Sequence, residues 1–280
     1  MVYYEASRRS SYVQGAFYNR KEGNDMKELR FRDYYEKLLG QLALELNCTP
    51  DDFRSKENVI TLPEFKDGRR SYHPGVPFLQ MATAGGNAVI SADGQIHEFL
   101  RGLTKDAEGH RLFELGNLMR IDAELRKYGW VLCPTHHMFL PCRETETDGR
   151  FEVKWFFDGD IAPFYGDCRF PNAICFPKPN PGTPDRMIVC AMDGDRIMGM
   201  SGCSEDAPGW FQIGIDVLPE YRSRGLGTYL VTLVKNEVIR RGGIPFYGTA
   251  AANVFSQSIA FGSGFRPAWV ETEAKPTGID

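Results

Sequence analysis

The segment WFQIGIDVLPEYRSRGLGTYL, residues 210–230, joins an apolar run to a glycine-containing turn and an amphipathic helix. Gly225 and Gly227 lie at that turn, where a missing side chain lets backbone N–H groups approach a ligand closely. The first turn of a helix carries unpaired N–H groups that favour an anion, typically a phosphate, and Arg222 and Arg224 add positive charge there. The segment therefore predicts a phosphate-binding turn, while a plain helix start is an equally good interpretation of the glycines taken alone.

Apolar patterns on both sides of this turn predict further strands and helices. The helix after the turn has apolar residues at Leu226, Leu230, Val234 and Val238, so one face packs down while its N-terminus stays free. The sequence DGD at residues 193–195, between two β-rich runs, is a hairpin signal. The predicted strands of this part cover residues 151–157, 186–192, 196–204, 210–218, 244–250 and 266–274, and a short helix covers residues 253–262.

The arrangement resembles the coenzyme A site of the GNAT acyltransferase superfamily. Residues 222–227, RSRGLG, match its R/Q-x-x-G-x-G/A signature, after the usual hydrophobic strand and Pro219. Asn253 and the pair Gly264-Phe265 fall where the superfamily has its second conserved region. The resemblance covers about residues 151–275 and extends to a bacterial subgroup of two-domain GNAT proteins.

The resemblance implies an α/β (α+β) fold with a GNAT-type mixed central sheet flanked by helices, preceded by a smaller α+β N-terminal domain. The polar stretch RETETDGR marks the boundary, which gives an N-terminal domain of residues 1–149 and a GNAT domain of residues 150–280. Residues 1–25 show no clean period and are interpreted as a loose arm. The N-terminal domain is predicted to have helices over about 25–46, 96–103 and 112–128, a small sheet between residues 58 and 92, and an irregular or extended stretch WVLCPTHHMFLPC at 130–142.

The same resemblance implies how an acyl-CoA is held. Strands 210–218 and 244–249 splay apart, and the pantetheine arm enters the gap and pairs with the first strand like an added strand. The backbone amides from Arg224 to Thr228 hold the pyrophosphate, while Asn253 and Ser256 touch the pantetheine or the nucleotide. Asn253 equally fits a plain N-cap of the following helix. The implied coenzyme A-binding residues are Ile215, Val217, Arg222, Ser223, Arg224, Gly225, Leu226, Gly227, Thr228, Asn253 and Ser256.

Transfer to an amine needs a base, because an ammonium group cannot attack a thioester. All five histidines precede residue 150, so a histidine base can come only from the N-terminal domain. Asp216 lies among apolar residues of the central strand, an environment that suits a carboxylate to base chemistry. Its alternative is a structural carboxylate held by a neighbouring donor.

Two departures from the GNAT pattern bear on the mechanism and the fold. The superfamily often has a tyrosine three residues before the Gly-Phe pair as the general acid for the departing thiol, and Phe261 stands there. A thiolate stabilised by helix N-termini can leave without that acid, with water or the Ser258 hydroxyl supplying the proton. The chain also leaves little room for a final hairpin after residues 266–274, so the last strand is either missing or supplied by another part of the protein.

These patterns predict an N-acyltransferase with acetyl-CoA as the acyl donor and an unidentified amine as the acceptor. The alternative is a catalytically weak acyl-CoA-binding sensor or regulatory module, which Phe261 favours. A third hypothesis is that the N-terminal domain docks a partner or forms a homodimer. This role is compatible with both functions.

Composition and charge argue against several other functions. A net charge of -4 and a pI near 5.8 give no electrostatic reason to expect nucleic acid or an anionic membrane as a partner. No apolar run approaches the ~20 residues that span a bilayer, and the first residues lack the apolar core of a signal peptide, so we expect a cytoplasmic protein. Seven cysteines without a CxxC pair indicate reduced thiols. Cys133, His136, His137 and Cys142 lack zinc-finger spacing, so no metal is expected.

Overall fold

The computed structural model describes residues 31–70, 75–105 and 107–278. The predicted loose arm at residues 1–25 and the predicted helix start near residue 25 lie outside these described residues. Within them, the α-helices are α1 (Phe31–Glu45), α2 (His97–Thr104), α3 (Leu115–Arg126), α4 (Leu226–Arg240) and α5 (Val254–Gly262).

The strands follow the predicted apolar runs closely. They are β1 (Val59–Thr61), β2 (Leu79–Thr83), β3 (Ala88–Ala92), β4 (Trp130–Leu132), β5 (His136–Pro141), β6 (Glu152–Phe157), β7 (Asp185–Asp193), β8 (Arg196–Ala207), β9 (Trp210–Val217), β10 (Ile244–Ala250) and β11 (Phe265–Pro276). The stretch 130–142, predicted to be irregular or extended, forms the two strands β4 and β5. The helix predicted over 112–128 starts later, because residues 109–113 form a separate 3-10 turn.

These strands make one mixed sheet flanked by helices, which confirms the predicted fold class. Their order is β1-β3-β2-β11-β5-β10-β9-β8-β7-β6, and β4 pairs with the end of β11. The pairs β1–β3 and β9–β10 are parallel, and the other neighbours are antiparallel. The sheet is therefore continuous from the N-terminal strands to the C-terminal ones.

Strand β5 lies between two strands that follow it by more than a hundred residues in the chain. Its Phe139 is opposite Tyr247 of β10, and its Pro141 is opposite Phe265 of β11. The sequence after β11 leaves little room for a final hairpin, and β5 is the strand that lies beside β11 instead. The last strand is thus supplied by another part of the protein, which is the second of the two predicted alternatives.

The boundary predicted between residues 149 and 150 falls in the connection from β5 to β6. Backbone hydrogen bonding crosses it in four strand pairs: β5 pairs with β10, and β2, β4 and β5 pair with β11. The division of the chain into two domains stays a prediction, but the two parts share a sheet and cannot separate without breaking these pairs.

The two faces of the sheet bury different apolar clusters. On one face, α4 covers a cluster that includes Phe139 of β5 and Tyr247 of β10. On the other face, α1 covers a cluster that includes Met138 of β5 and Phe246 of β10. Successive residues of a strand point to opposite faces, so the short strand β5 contributes buried side chains to both clusters.

A buried ionic cluster joins α1 to β11. Arg70, whose side chain is 2% exposed, pairs through Nη2 with Glu45 at 2.8 Å and with Glu271 at 2.7 Å. Its guanidinium also lies over the rings of Phe246 and Trp269, 5.4 and 5.3 Å from the centroids. Two carboxylates with little access to water therefore depend on this guanidinium for compensation.

We expect Arg70→Met to lower the free energy of unfolding by about 3–5 kcal/mol, because it leaves the carboxylates of Glu45 and Glu271 buried without their cation. Urea denaturation measures the change. The matched control is Arg54→Met, since Arg54 pairs with Glu36 and Asp51 at the exposed surface and should cost less than about 1 kcal/mol. Equal effects of the two substitutions would contradict this reading of the cluster.

We also expect residues 150–280, produced alone, to lack a cooperative unfolding transition. Removing β5 leaves β10 and β11 without the strand between them and takes Phe139 out of the cluster under α4. Circular dichroism with urea titration, run beside the full chain, tests this. A sharp transition in the fragment would show that it folds by itself.

Candidate functional site

Strands β9 and β10 separate halfway along their length. They pair from Trp210 opposite Ile244 to Ile213 opposite Tyr247. Beyond that point, among the described residues, β9 pairs only with β8, as far as Val217, and β10 pairs only with β5. The predicted splay is therefore present, and it leaves a gap between two backbone edges at the carboxyl ends of these strands.

The turn after β9 presents the start of α4 to this gap. Ser223 and Gly225 have φ angles of +60° and +74°, the left-handed conformation that glycine adopts without strain. Gly225 is the N-cap of α4, and no side chain caps the helix. The first N–H groups of α4 are thus free to bind an anion, as the sequence predicts for the amides from Arg224 to Thr228.

The two arginines of the turn are held differently. Arg222 donates from Nε to the carbonyl oxygen of Val217 at 3.0 Å, which ties the turn to the end of β9. Arg224 lies over the ring of Tyr221, 5.7 Å from its centroid, and is exposed. Arg224 can therefore swing toward a ligand, whereas Arg222 also positions the backbone.

Gly227 has a packing role that the sequence does not reveal. A Cβ on it would lie 2.9 Å from Cδ1 of Ile259 on α5 and 3.7 Å from Cγ2 of Val217 on β9. The missing side chain therefore lets α4 approach α5 and β9 closely. A side chain at this position would therefore meet Ile259 of α5 first.

A hydroxyl in the first turn of α5 lies next to a hydroxyl of β10. Oδ1 of Asn253 accepts a hydrogen bond from the N–H of Ser256 at 3.1 Å, so Asn253 is the N-cap of α5. The Ser256 hydroxyl is 2.8 Å from the hydroxyl of Tyr247, the last β10 residue paired with β9. Burial raises the pKa of Tyr247. Sequence reasoning missed Tyr247, because a tyrosine in an apolar strand is usually a core residue.

Asp216 is held by the segment before β7. Its Oδ2 accepts from the N–H groups of Asn172 and Ala173 at 2.7 and 2.9 Å, and its Oδ1 accepts from Nδ2 of Asn172 at 2.6 Å. This is the structural arrangement given above as the alternative to catalysis. The segment lies so close to β9 that a Cβ on Gly214 would be 1.7 Å from the carbonyl oxygen of Asn172. A catalytic role for Asp216 stays a prediction.

Two residues considered for protonation of the leaving thiol both lie on α5: Ser258, the proposed proton donor, and Phe261, which stands where a tyrosine acid was expected. The exposed Ser258 hydroxyl donates to the carbonyl oxygen of Val254 at 2.8 Å. Phe261 is 47% exposed and packs edge-on against Phe139 of β5, with 5.6 Å between ring centroids. The inserted strand therefore contacts the position where the tyrosine acid was expected.

Strand β5 also brings histidines to the splayed end of β10. His137 is opposite Thr249 and His136 is opposite Ala250, and alternation along the strand sends the two side chains to opposite faces. A histidine from outside the C-terminal part thus lies one strand away from the gap. Among residues 31–70, 75–105 and 107–278, no three His, Cys, Asp or Glu side chains are grouped as a metal site.

Nothing in the described part of the chain could cross a bilayer as a helix: the helices there are too short or too polar.

Residues 152–261 match the model of the Acetyltransferase (GNAT) family. The match covers β6 to α5, which includes the splayed strands, the turn and the start of α4. No curated protein matches the chain.

Several solved structures resemble part of the chain. A GCN5-related N-acetyltransferase-like protein from Streptococcus suis is 12% identical, with a TM-score of 0.41, over 58% of this chain and 68% of that one. An acetyltransferase of the GNAT family from Colwellia psychrerythraea is 12% identical, with a TM-score of 0.37, over 52% and 57%. A Salmonella typhimurium protein solved with its cofactor acetyl-CoA is 14% identical, with a TM-score of 0.32, over 46% and 95%.

We expect Gly214→Ala to destabilise the protein by about 1–3 kcal/mol, because its Cβ would overlap the carbonyl oxygen of Asn172 and force that segment away from Asp216. Thermal unfolding measures the loss. Gly116→Ala is the matched control: Gly116 is exposed in α3 with nothing near its Cβ position, so alanine should be neutral or stabilising there. An unchanged thermal midpoint in Gly214→Ala would mean that the segment at Asn172 shifts without a loss of stability.

Proposed function

We propose that this chain, whose residues 152–261 match the GNAT acetyltransferase family, is an N-acyltransferase that moves an acetyl or other short acyl group from coenzyme A to an amine. The observation that carries the proposal is the gap between β9 and β10, which opens beside the uncapped start of α4. An acyl-CoA has the two parts that this site accommodates, an extended polar arm and a pyrophosphate.

The proposed binding mode for acyl-CoA uses backbone groups that have no partner within the described part of the chain. The pantetheine arm pairs with residues 215–217 on the free edge of β9, as a peptide pairs with the edge of a sheet. The pyrophosphate accepts hydrogen bonds from the amides of residues 224–228, aided by the positive end of the α4 dipole. Because the left-handed Ser223 and Gly225 fix this turn beforehand, little ordering is required when the ligand binds.

In the reaction, the nitrogen of a neutral amine attacks the carbonyl carbon of the thioester. A C–N bond forms, the C–S bond breaks, coenzyme A leaves as a thiolate, and a base takes the proton from the nitrogen. Asp216 is the proposed base: its Oδ1 accepts one hydrogen bond and so keeps a lone pair that can accept this proton. The hydrogen bonds to Asn172 and Ala173 fix its orientation.

The departing thiolate needs stabilisation, because Phe261 cannot donate a proton. The Ser258 hydroxyl, the candidate from the sequence, is engaged with the backbone of its own helix. We therefore add Ser256, whose oxygen can accept the Tyr247 hydrogen and whose own hydrogen is then free to bond to the sulfur. The raised pKa of Tyr247 keeps its hydroxyl protonated and so keeps this arrangement intact at neutral pH.

The second candidate function is an acyl-CoA sensor, and Phe261 is the observation that favours it. A sensor binds acetyl-CoA in a one-to-one ratio and releases no thiol with any member of a broad amine panel. Thiol release that depends on an amine selects the enzyme.

We expect the wild-type protein to bind acetyl-CoA in isothermal titration calorimetry and Arg224→Glu to bind it at least about tenfold more weakly, because the substitution places a negative charge beside the pyrophosphate. Arg120→Glu, on the exposed surface of α3, makes the same charge change away from the turn and should have no effect. Equal weakening by both would indicate a general charge effect, and no binding by the wild type would refute the proposed function.

Ser256→Ala should reduce kcat about tenfold or more, because it removes a hydrogen bond to the developing thiolate. Ser258→Ala is the matched control and should change kcat less than twofold. Thiol release at saturating acetyl-CoA measures both. The reverse ranking would assign the proton donor to Ser258.

Asp216→Asn should abolish turnover while leaving acetyl-CoA affinity within about twofold, because an amide cannot accept the proton. Asn172→Ala removes one hydrogen bond to Asp216 but keeps the carboxylate, so it should raise the KM for the amine more than it lowers kcat. Equal losses of kcat in the two variants would show that Asp216 only positions the segment.

A further inference from the structure

The connection from β5 to β6, residues 142–151, is fixed along α4 although its composition predicts a linker. Nζ of the fully buried Lys235 donates to Oγ1 of Thr145 at 2.6 Å and to the carbonyl oxygen of Arg143 at 3.2 Å. Nδ2 of Asn236 donates to the carbonyl oxygen of Thr145 at 2.9 Å. The start of this connection is thus attached to the C-terminal half of α4.

The end of the connection lies at the opposite end of the same helix. The ring of Phe151 packs on Tyr229, with 5.1 Å between centroids. Arg150 lies next to Gly225, the N-cap of α4. From residue 145 to residue 150 of the connection, the contacts move from residue 236 of α4 back to residue 225. It therefore runs antiparallel to α4 and ends at the predicted phosphate-binding turn.

The guanidinium of Arg150 lies against that turn. From a Cβ built on Gly225, the nearest atoms are Nη2, Nη1 and Cζ of Arg150, at 3.7, 3.8 and 3.9 Å. Nε is 3.2 Å from a carboxylate oxygen of Asp148, and the guanidinium lies 5.6 Å from the ring centroid of Phe151. These neighbours restrain the side chain, which is 54% exposed, and both terminal nitrogens lie within 4 Å of the Cβ position of Gly225.

We propose that Arg150, which the connection between β5 and β6 brings to the turn, binds a phosphate group of acyl-CoA. The inference rests on the proposed function. A guanidinium matches the geometry of a phosphate with two parallel N–H···O bonds, and here it lies beside the amides that are proposed to bind the pyrophosphate. Arg150 lies outside the RSRGLG segment, so the pattern of the turn gives no signal for it.

The test is isothermal titration of acetyl-CoA and of 3′-dephospho-acetyl-CoA into the wild type, Arg150→Gln, Arg150→Lys and the control Arg120→Gln. We expect Arg150→Gln to weaken acetyl-CoA binding about tenfold or more, Arg150→Lys to weaken it less, and Arg120→Gln to match the wild type. Because Arg150 is at the surface, we expect the thermal midpoints of the variants to equal that of the wild type. Equal midpoints exclude unfolding as the cause of weaker binding.

The two ligands identify the phosphate involved. If Arg150 binds the 3′-phosphate, its replacement has no effect on the dephospho ligand; if it binds the pyrophosphate, the loss is the same for both ligands. Either result supports the proposal. Wild-type affinity of Arg150→Gln for acetyl-CoA overturns the role of Arg150 and leaves the proposed function intact, whereas no binding by the wild type overturns both.

Discussion

The pairing of β5 with β10 on one edge and β11 on the other is the interaction on which the rest of the structure depends. It keeps β10 in place after β10 has separated from β9, because β5 is the one described strand that pairs with the carboxyl end of β10. Without β5, the gap between β9 and β10 would have only one fixed side. The N-terminal part of the chain is therefore a structural component of the site and not an appendage to it.

The gap itself reflects a balance between paired and unpaired backbone. Unpaired N–H and C=O groups are tolerated only where water or a ligand can reach them. At the end of β9, residues 214–217 are hydrogen-bonded to β8 and only partly buried, so their outer edge is accessible. The close approach of the segment at Asn172 and the bonds to Asp216 cover one face of this edge and leave the side toward β10 open.

Local patterns predicted most of the fold and the turn, because strand periodicity, the DGD hairpin and the RSRGLG turn are each encoded by neighbouring residues. They did not predict the insertion of β5, since Pro134 and two histidines interrupt its apolar run and its partners lie more than a hundred residues later. The partners of Asp216, the packing of Gly227 against Ile259 and the position of Arg150 were missed for the same reason: each depends on a contact between distant segments.

The order of the strands also constrains how the protein is made. A ribosome synthesises β5 well before β10 and β11, so the nascent chain carries an apolar strand with both edges open while the intervening segments emerge. Loop-closure entropy makes such long-range pairing slow, and open strand edges favour aggregation. The central sheet can therefore close only late in translation, and β5 stays open to aggregation until then.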